Sequence, residues 1–154
     1  MAVRSPTDSC AVGNSACKSA NGSVDAYTLG HGHARSTGTS VNYPYPGPPL
    51  PADVRGIERE RGAAITPENA FEATLTNLKA ISFDTSHMGI DPSQQISAHL
   101  SVDALGPVAL TLRGNFPPVT ATLDGGPVPV QQTSDGIELD LTLTGDHDVV
   151  ITPQ

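Results

Sequence analysis

The chain has 154 residues, a formal net charge of −8 and only eight Lys and Arg residues. So few cations cannot neutralise a run of phosphates, which argues against nucleic acid as a partner, and anionic membrane surfaces are disfavoured for the same reason. No apolar stretch approaches the roughly 18 residues of a membrane span, so no membrane association is expected. This length allows one domain, or one domain with an irregular arm.

The composition predicts a small aliphatic core. Hydrophobic residues make up 37 % of the chain, below the usual ~45–50 %, and there is no Trp. With 15 Gly, 14 Pro and only three Phe, much of the chain is expected to form turns. The core must therefore be built from Leu, Val, Ile and Ala on the faces of strands.

Cys10 and Cys17 are separated by six mostly small residues. This spacing is not the C-x-x-C of a redox or zinc site, and a local bridge is easy to close. We predict a Cys10–Cys17 disulfide, with two free thiols or a metal site as alternatives. A disulfide indicates an oxidising compartment, so a secreted or extracellular location is expected. Since residues 1–9 contain no apolar signal segment, the chain is interpreted as the C-terminal part of a longer exported protein.

His31 and His33 form an H-x-H pair in a Gly-rich stretch, for which a solvated loop is the favoured interpretation. One alternative is a metal site completed by Asp25, the nearest carboxylate. In another, either histidine is the general base of a Ser-His-Asp triad. No G-x-S-x-G motif occurs, so the nucleophile would have to lie upstream of this chain.

A proline-rich tract at 43–51 predicts a polyproline-like spacer. Tyr43 and Tyr45 in this tract are candidates for a small platform that stacks on sugar rings, although rings that cover the core are the favoured interpretation. We therefore divide the chain into 1–62, an irregular Pro/Gly-rich arm or the tail of a preceding domain, and 63–154, a β-sandwich domain.

From residue 70 onward, apolar residues alternate with polar ones and turn residues separate the runs. Alternation of this kind is typical of strands with one buried face. The spacing predicts an all-β fold, an antiparallel β-sandwich of seven or eight strands. The predicted runs are 71–83 (one kinked strand or two), 96–102, 108–112, 119–123, 128–131, 137–143 and 147–152.

Asp-Gly pairs at 124–125 and 135–136 predict hairpin turns, with calcium binding as a minor alternative. The Asp146-His147-Asp148 triplet offers groups for a cation, but hairpin turns are commonly acidic, and His99 and His147 are expected at the surface. No paired catalytic carboxylates are identifiable, and no cofactor is expected.

Three segments carry a resemblance: LDGGPV at 123–128, GIELDLTL at 136–143 and GDHDVVI at 145–151. Their order resembles the C-terminal β-sandwich accessory domains of secreted bacterial hydrolases, among which carbohydrate-active enzymes are the best examples. The likeness covers about the last forty residues, or eighty if 71–112 is included. It implies a domain without catalytic residues of its own.

The leading hypothesis is a non-catalytic accessory module of an exported bacterial hydrolase. Its partner is either the catalytic domain of the parent protein or a polysaccharide or other polymer substrate. One alternative is the C-terminal fragment of a secreted α/β-hydrolase whose catalytic base is His31 or His33. The other is a self-standing extracellular interaction or structural protein that assembles through its edge strands.

Overall fold

A computed structural model describes residues 2–4, 22–43, 54–104, 106–142 and 144–154, and these are mostly β-strand. The predicted all-β class is therefore confirmed. Cys10, Cys17 and Tyr45 lie outside the described residues. The strands are β1 (Ala2–Arg4), β2 (Ser23–Thr28), β3 (Gly38–Tyr43), β4 (Val54–Arg59), β5 (Ala70–Thr76), β6 (Ala80–Asp84), β7 (Ile96–Asp103), β8 (Val108–Arg113), β9 (Val119–Leu123), β10 (Gly126–Val128), β11 (Gln131–Thr133), β12 (Gly136–Leu141) and β13 (Gly145–Pro153), with one short helix, α1 (Thr85–Met88), after β6.

The chain divides into two compact units. Unit 1 comprises residues 1–31 and 68–154, and unit 2 comprises 32–67, so the predicted division at residue 62 falls inside unit 2. Unit 2 contains the antiparallel pair β3–β4. Nearby, His33 and Ala64 form an isolated antiparallel bridge.

Unit 1 contains two sheets. Sheet A has the order β1-β6-β8-β12-β11, and sheet B has the order β10-β9-β13-β7-β5-β2. Most neighbouring strands are antiparallel, but β5 pairs with β7 and β6 pairs with β8 in the parallel sense. The sequence predicts antiparallel strands throughout. The two parallel pairs are missed because alternation shows which face of a strand is buried but not the direction in which neighbouring strands run.

The parallel pairs arise because the chain alternates between the sheets from β5 to β8, and it crosses from sheet B to sheet A at 77–79 and again at 104–107. At the first crossing Asn77 has a positive φ of 51°, a conformation that Asn tolerates better than most residues. Its backbone N–H donates to the carbonyl of Asp103 at the second crossing, over 2.7 Å. The adjacent Leu78 is 2 % exposed and belongs to the core. The two crossings therefore lie beside each other.

The core of unit 1 is one cluster of buried apolar residues drawn from both sheets. On β7 the burial strictly alternates, because successive side chains of a strand point to opposite faces. Phe71 of β5 and Phe83 of β6 are in ring contact at a centroid distance of 5.5 Å. The largest fully buried side chains are Phe71, Leu75, Ile81, Ile96, Leu100, Leu110, Leu112, Ile137, Leu139, Leu141, Ile151 and Val108.

Strands β1 to β4 lie within residues 1–62, for which the sequence predicts no strands. β2 pairs along its length with β5 and forms one edge of sheet B. Its sequence, SVDAYT, has only weak alternation and sits between Gly-rich stretches, so it gives little signal. Among the described residues, no helix has the length and apolar character needed to cross a membrane.

Candidate functional site

The outer face of sheet A contains a groove of about 360 Å³, which we call the sheet A groove. It is formed by the outward positions of β6, β8 and β12, whose alternate residues enter the core. Its lining residues are Ala80, Ile81, Ser82, Ala109, Thr111, Arg113 and Glu138.

Strand register places the polar groups of this groove in one row. The parallel pairing sets Ser82 of β6 opposite Thr111 of β8, and the antiparallel pairing sets Glu138 of β12 opposite the same Thr111. Ala80 and Ala109 are the next opposed pair along β6 and β8. Because these side chains are small, the floor of the groove is recessed between the longer side chains at its rim.

Among the described lining residues, two at the rim are charged, one of each sign. Arg113 is exposed and Glu138 is half-buried. Within the part of the chain that the structure describes, neither side chain forms an ion pair or a hydrogen bond. The guanidinium offers several donors, the carboxylate offers acceptors, and the hydroxyls of Ser82 and Thr111 offer both. Such a set suits a neutral ligand rich in hydroxyl groups.

A second, more apolar pocket of about 180 Å³ lies where β2, β6 and α1 meet. Phe83 and Met88 contribute apolar surface to it, and Thr28 donates its hydroxyl proton to the Met88 carbonyl. The Asp84 carboxylate at the rim caps α1, accepting from the backbone N–H groups of Ser86 and His87. A further hydrogen bond from the Ser86 hydroxyl, together with these two backbone bonds, lowers the pKa of Asp84 below its ordinary value. The Asp84 carboxylate is therefore engaged in capping α1.

Two histidine–aspartate pairs lie on sheet B. Nδ1 of His99 on β7 is 2.8 Å from Oδ1 of Asp148 on β13. Nδ1 of His147 on β13 is 2.7 Å from Oδ2 of Asp124 in the β9–β10 turn. Both histidines have a raised pKa, caused chiefly by the hydrogen bond to the paired aspartate. Both were expected at the surface; His99 is exposed, whereas the His147 side chain is only 15 % exposed.

The predicted turn at Asp124-Gly125 is confirmed. Both residues have positive φ, 49° and 80°, and they join β9 to β10 as a two-residue hairpin loop. This is the type I′ geometry for which Asp-Gly is favoured. The Asp124 carboxylate accepts from the Asp148 backbone N–H over 2.8 Å and from His147, so its pKa is lowered, with the backbone bond as the largest cause. Both carboxylate oxygens of Asp124 are therefore hydrogen-bonded within the protein.

The structure places the candidate histidines of the sequence analysis in different surroundings. His31 belongs to unit 1, where its Nε2 lies 3.0 Å from the carbonyl oxygen of His87, whereas His33 belongs to unit 2. Asp25 lies on β2 and is exposed. In the described ranges, no group of three or more His, Cys, Asp or Glu is arranged to hold a metal ion.

Two further predictions concern the arm. Tyr43 is the last residue of β3, but Tyr45 is outside the described residues, so the platform of these two rings stays a prediction. The disulfide between Cys10 and Cys17 likewise stays a prediction, because both residues lie outside the described ranges.

Sequence reasoning missed Ser82, Thr111, Arg113 and Glu138. Alternation places Ser82, Thr111 and Glu138 on the outer faces of predicted strands, whereas Arg113 falls just after the predicted run 108–112. Their meeting depends on the parallel β6–β8 pairing, which alternation does not specify. A concave face rather than a flat one depends on how the sheet twists, which no local pattern encodes.

Comparisons of the chain with models of known protein families, with curated proteins and with solved structures found no match.

Proposed function

We propose that this chain is a non-catalytic β-sandwich module of an exported bacterial hydrolase, in which sheets A and B are the two layers. Within that proposal, the module weakly binds the polymer substrate of its parent enzyme, a polysaccharide, in the sheet A groove. The observation that carries the proposal is the groove itself, with its recessed floor and its polar row of Ser82, Thr111 and Glu138.

The size of the groove supports a short stretch of a polymer. A volume of about 360 Å³ lies at the lower end of the range of small-molecule sites, which is about 300–1,000 Å³. The small side chains of Ala80 and Ala109 let a flat ring approach the sheet closely. Hydroxyl groups on the ring then meet Ser82 and Thr111, with Arg113 and Glu138 at the rim.

The charge of the chain favours a neutral polymer over an acidic one. A net charge of −8 repels polyanions at long range, and the Arg113 guanidinium in the groove is balanced by the Glu138 carboxylate. We therefore expect neutral glycans to bind more tightly than polyuronates.

Affinity gel electrophoresis of the full chain tests this. The gels contain a neutral β-linked xylan, a neutral β-linked glucan or a polyuronate. Retardation is expected in at least one neutral gel, and R113A and E138Q should weaken it by about 10–100-fold, the effect of losing one charge-assisted hydrogen bond. The control variant E72Q makes the same charge change on the outer face of sheet B and should bind as wild type does.

Binding that is equal in E138Q and E72Q would remove the groove from the proposal. An absence of retardation in every gel would remove polymer binding, leaving docking on the catalytic domain as the function to test. A coding sequence that extends upstream with an in-frame G-x-S-x-G motif, and whose extended product loses hydrolysis in H31A or H33A, would instead favour the α/β-hydrolase fragment.

A further inference from the structure

The imidazole of His147 is held between two oxygen acceptors. Its Nδ1 lies 2.7 Å from Oδ2 of Asp124, and its Nε2 lies 3.3 Å from the carbonyl oxygen of Thr144. A neutral imidazole carries one N–H and therefore satisfies only one of these acceptors. The imidazolium carries two N–H groups and satisfies both. The geometry is thus complete only for the protonated ring.

The partner of His147 connects two strands. The Asp124 backbone N–H donates to the Asp148 carbonyl, and the Asp124 Oδ1 accepts from the Asp148 N–H, each over 2.8 Å. Asp124 lies in the turn that starts β10, and Asp148 lies near the start of β13. We call these contacts of Asp124, His147 and Asp148 the β13 clasp.

Among the described residues, the charged groups that act on these two histidines are carboxylates. His147 experiences Asp124 from the β9–β10 turn and Asp146 from its own strand. The neighbouring His99 on β7 experiences Asp148 and Asp146 from β13 and Glu72 from β5. Protonation of either ring therefore relieves repulsion among acids instead of adding to a cluster of cations.

We propose that the β13 clasp is a proton-linked device, which holds the β9–β10 turn to the start of β13 at mildly acidic pH and loosens it as the ring of His147 loses its second proton. The ligand of the device is the proton, and the element that it biases is the hairpin at one edge of sheet B.

The direction of the linkage follows from the two partners. Folding raises the pKa of His147 above its ordinary value of about 6.5, so its contribution to stability is full below that value and is lost as pH rises through the folded pKa. Folding lowers the pKa of Asp124, so its contribution is present above its ordinary value of about 3.8 and is lost as pH falls further. The clasp is therefore strongest between about pH 4 and pH 6.5.

A titration of the five histidines by NMR in the full chain is the direct test. In wild type, the His147 ring should titrate above its ordinary value, and in D124N it should titrate at or below that value. The chain offers a matched control in Asp135, an aspartate of the other predicted Asp-Gly turn, which meets no histidine in the described structure. D135N should leave the titration of His147 unchanged.

Amide hydrogen exchange gives a second measurement on wild type alone, in case D124N fails to fold. Exchange at the Asp124 and Asp148 amides is compared with that at Gln154, whose N–H bonds Pro118 at the opposite end of the β9–β13 pairing. Between about pH 5.5 and pH 8, protection at Asp124 and Asp148 should fall relative to Gln154. Equal loss at both ends, or a His147 that titrates at its ordinary value in wild type, would overturn the proposal.

Discussion

Asn69 shows how much a single half-buried amide can organise. Its Oδ1 accepts from the Asp91 backbone N–H over 2.7 Å, and its Nδ2 donates to the carbonyls of Asp91 and Gln95, each over 2.9 Å. The chain from 91 to 95 has no ladder of its own, so this side chain supplies the partners that a strand would otherwise provide. The start of β7 is positioned by it.

We therefore expect Asn69→Ala to destabilise the protein by about 1–3 kcal/mol, since three backbone groups lose their partner. Urea unfolding of the full chain measures this. Asn115→Ala is the control, because Asn115 is exposed and makes no side-chain hydrogen bond among the described residues, and it should change stability by less than about 0.5 kcal/mol. Equal effects of the two variants would contradict this account.

Gly136 is a second residue whose identity is set by its surroundings. A Cβ there would lie 2.0 Å from the carbonyl oxygen of Leu112, and its φ of 153° favours glycine. The sequence alone suggests a turn residue at this position, as in any Asp-Gly pair. The close contact between Gly136 and the β8 backbone follows from the register of β12 on β8, which the sequence does not give.

At the scale of elements, the crossings from β5 to β6 and from β7 to β8 set the strand order in the middle of unit 1. Each replaces a hairpin, and together they make the parallel pairs β5–β7 and β6–β8. Leu78 lies at the first crossing and is 2 % exposed, whereas its neighbour Lys79 is exposed. The crossing is therefore packed as part of the core.

Leu78→Ala should accordingly cost about 2–5 kcal/mol in free energy of unfolding, as truncation of a buried leucine does elsewhere. Lys79→Ala, one residue along, should be nearly neutral. Thermal and urea unfolding of both variants distinguish a packed crossing from a loose loop. A cost below about 1 kcal/mol for Leu78→Ala would show that the crossing relaxes around the change.

How far the sequence predicts the elements depends on the length of their pattern. Strand β7 alternates over eight residues and is predicted almost to its ends, and the Asp124-Gly125 turn is predicted from its chemistry. Strands β1 to β4 are missed because they are short and lack a clear alternation, and β1 and β2 also owe their pairing to strands distant in sequence. The sheet A groove and the β13 clasp are also missed, since each is formed by strands that are neighbours in a sheet but not consecutive in the sequence.

At the scale of the whole molecule, the predicted disulfide concerns the segment that joins two edge strands in the sequence. Cys10 and Cys17 fall between β1, at one edge of sheet A, and β2, at one edge of sheet B. In protein from an oxidising compartment, non-reducing intact mass should be lower by two hydrogens than after reduction. Reduction should destabilise unit 1 by at most about 2–3 kcal/mol, because the closed loop is short. Two free thiols in such a sample would exclude the bridge.

Strand β13 lies between β9 and β7, in the interior of sheet B, although it is the last strand of the described chain. During synthesis, β5 and β7 can pair early, but β9 has no place in the sheet until Gly145–Pro153 has left the ribosome. Until then β7 presents an unpaired edge, the kind of surface that promotes aggregation. The folding of this unit is therefore completed late, and a nascent chain stalled before residue 145 should depend on chaperones far more than the finished one.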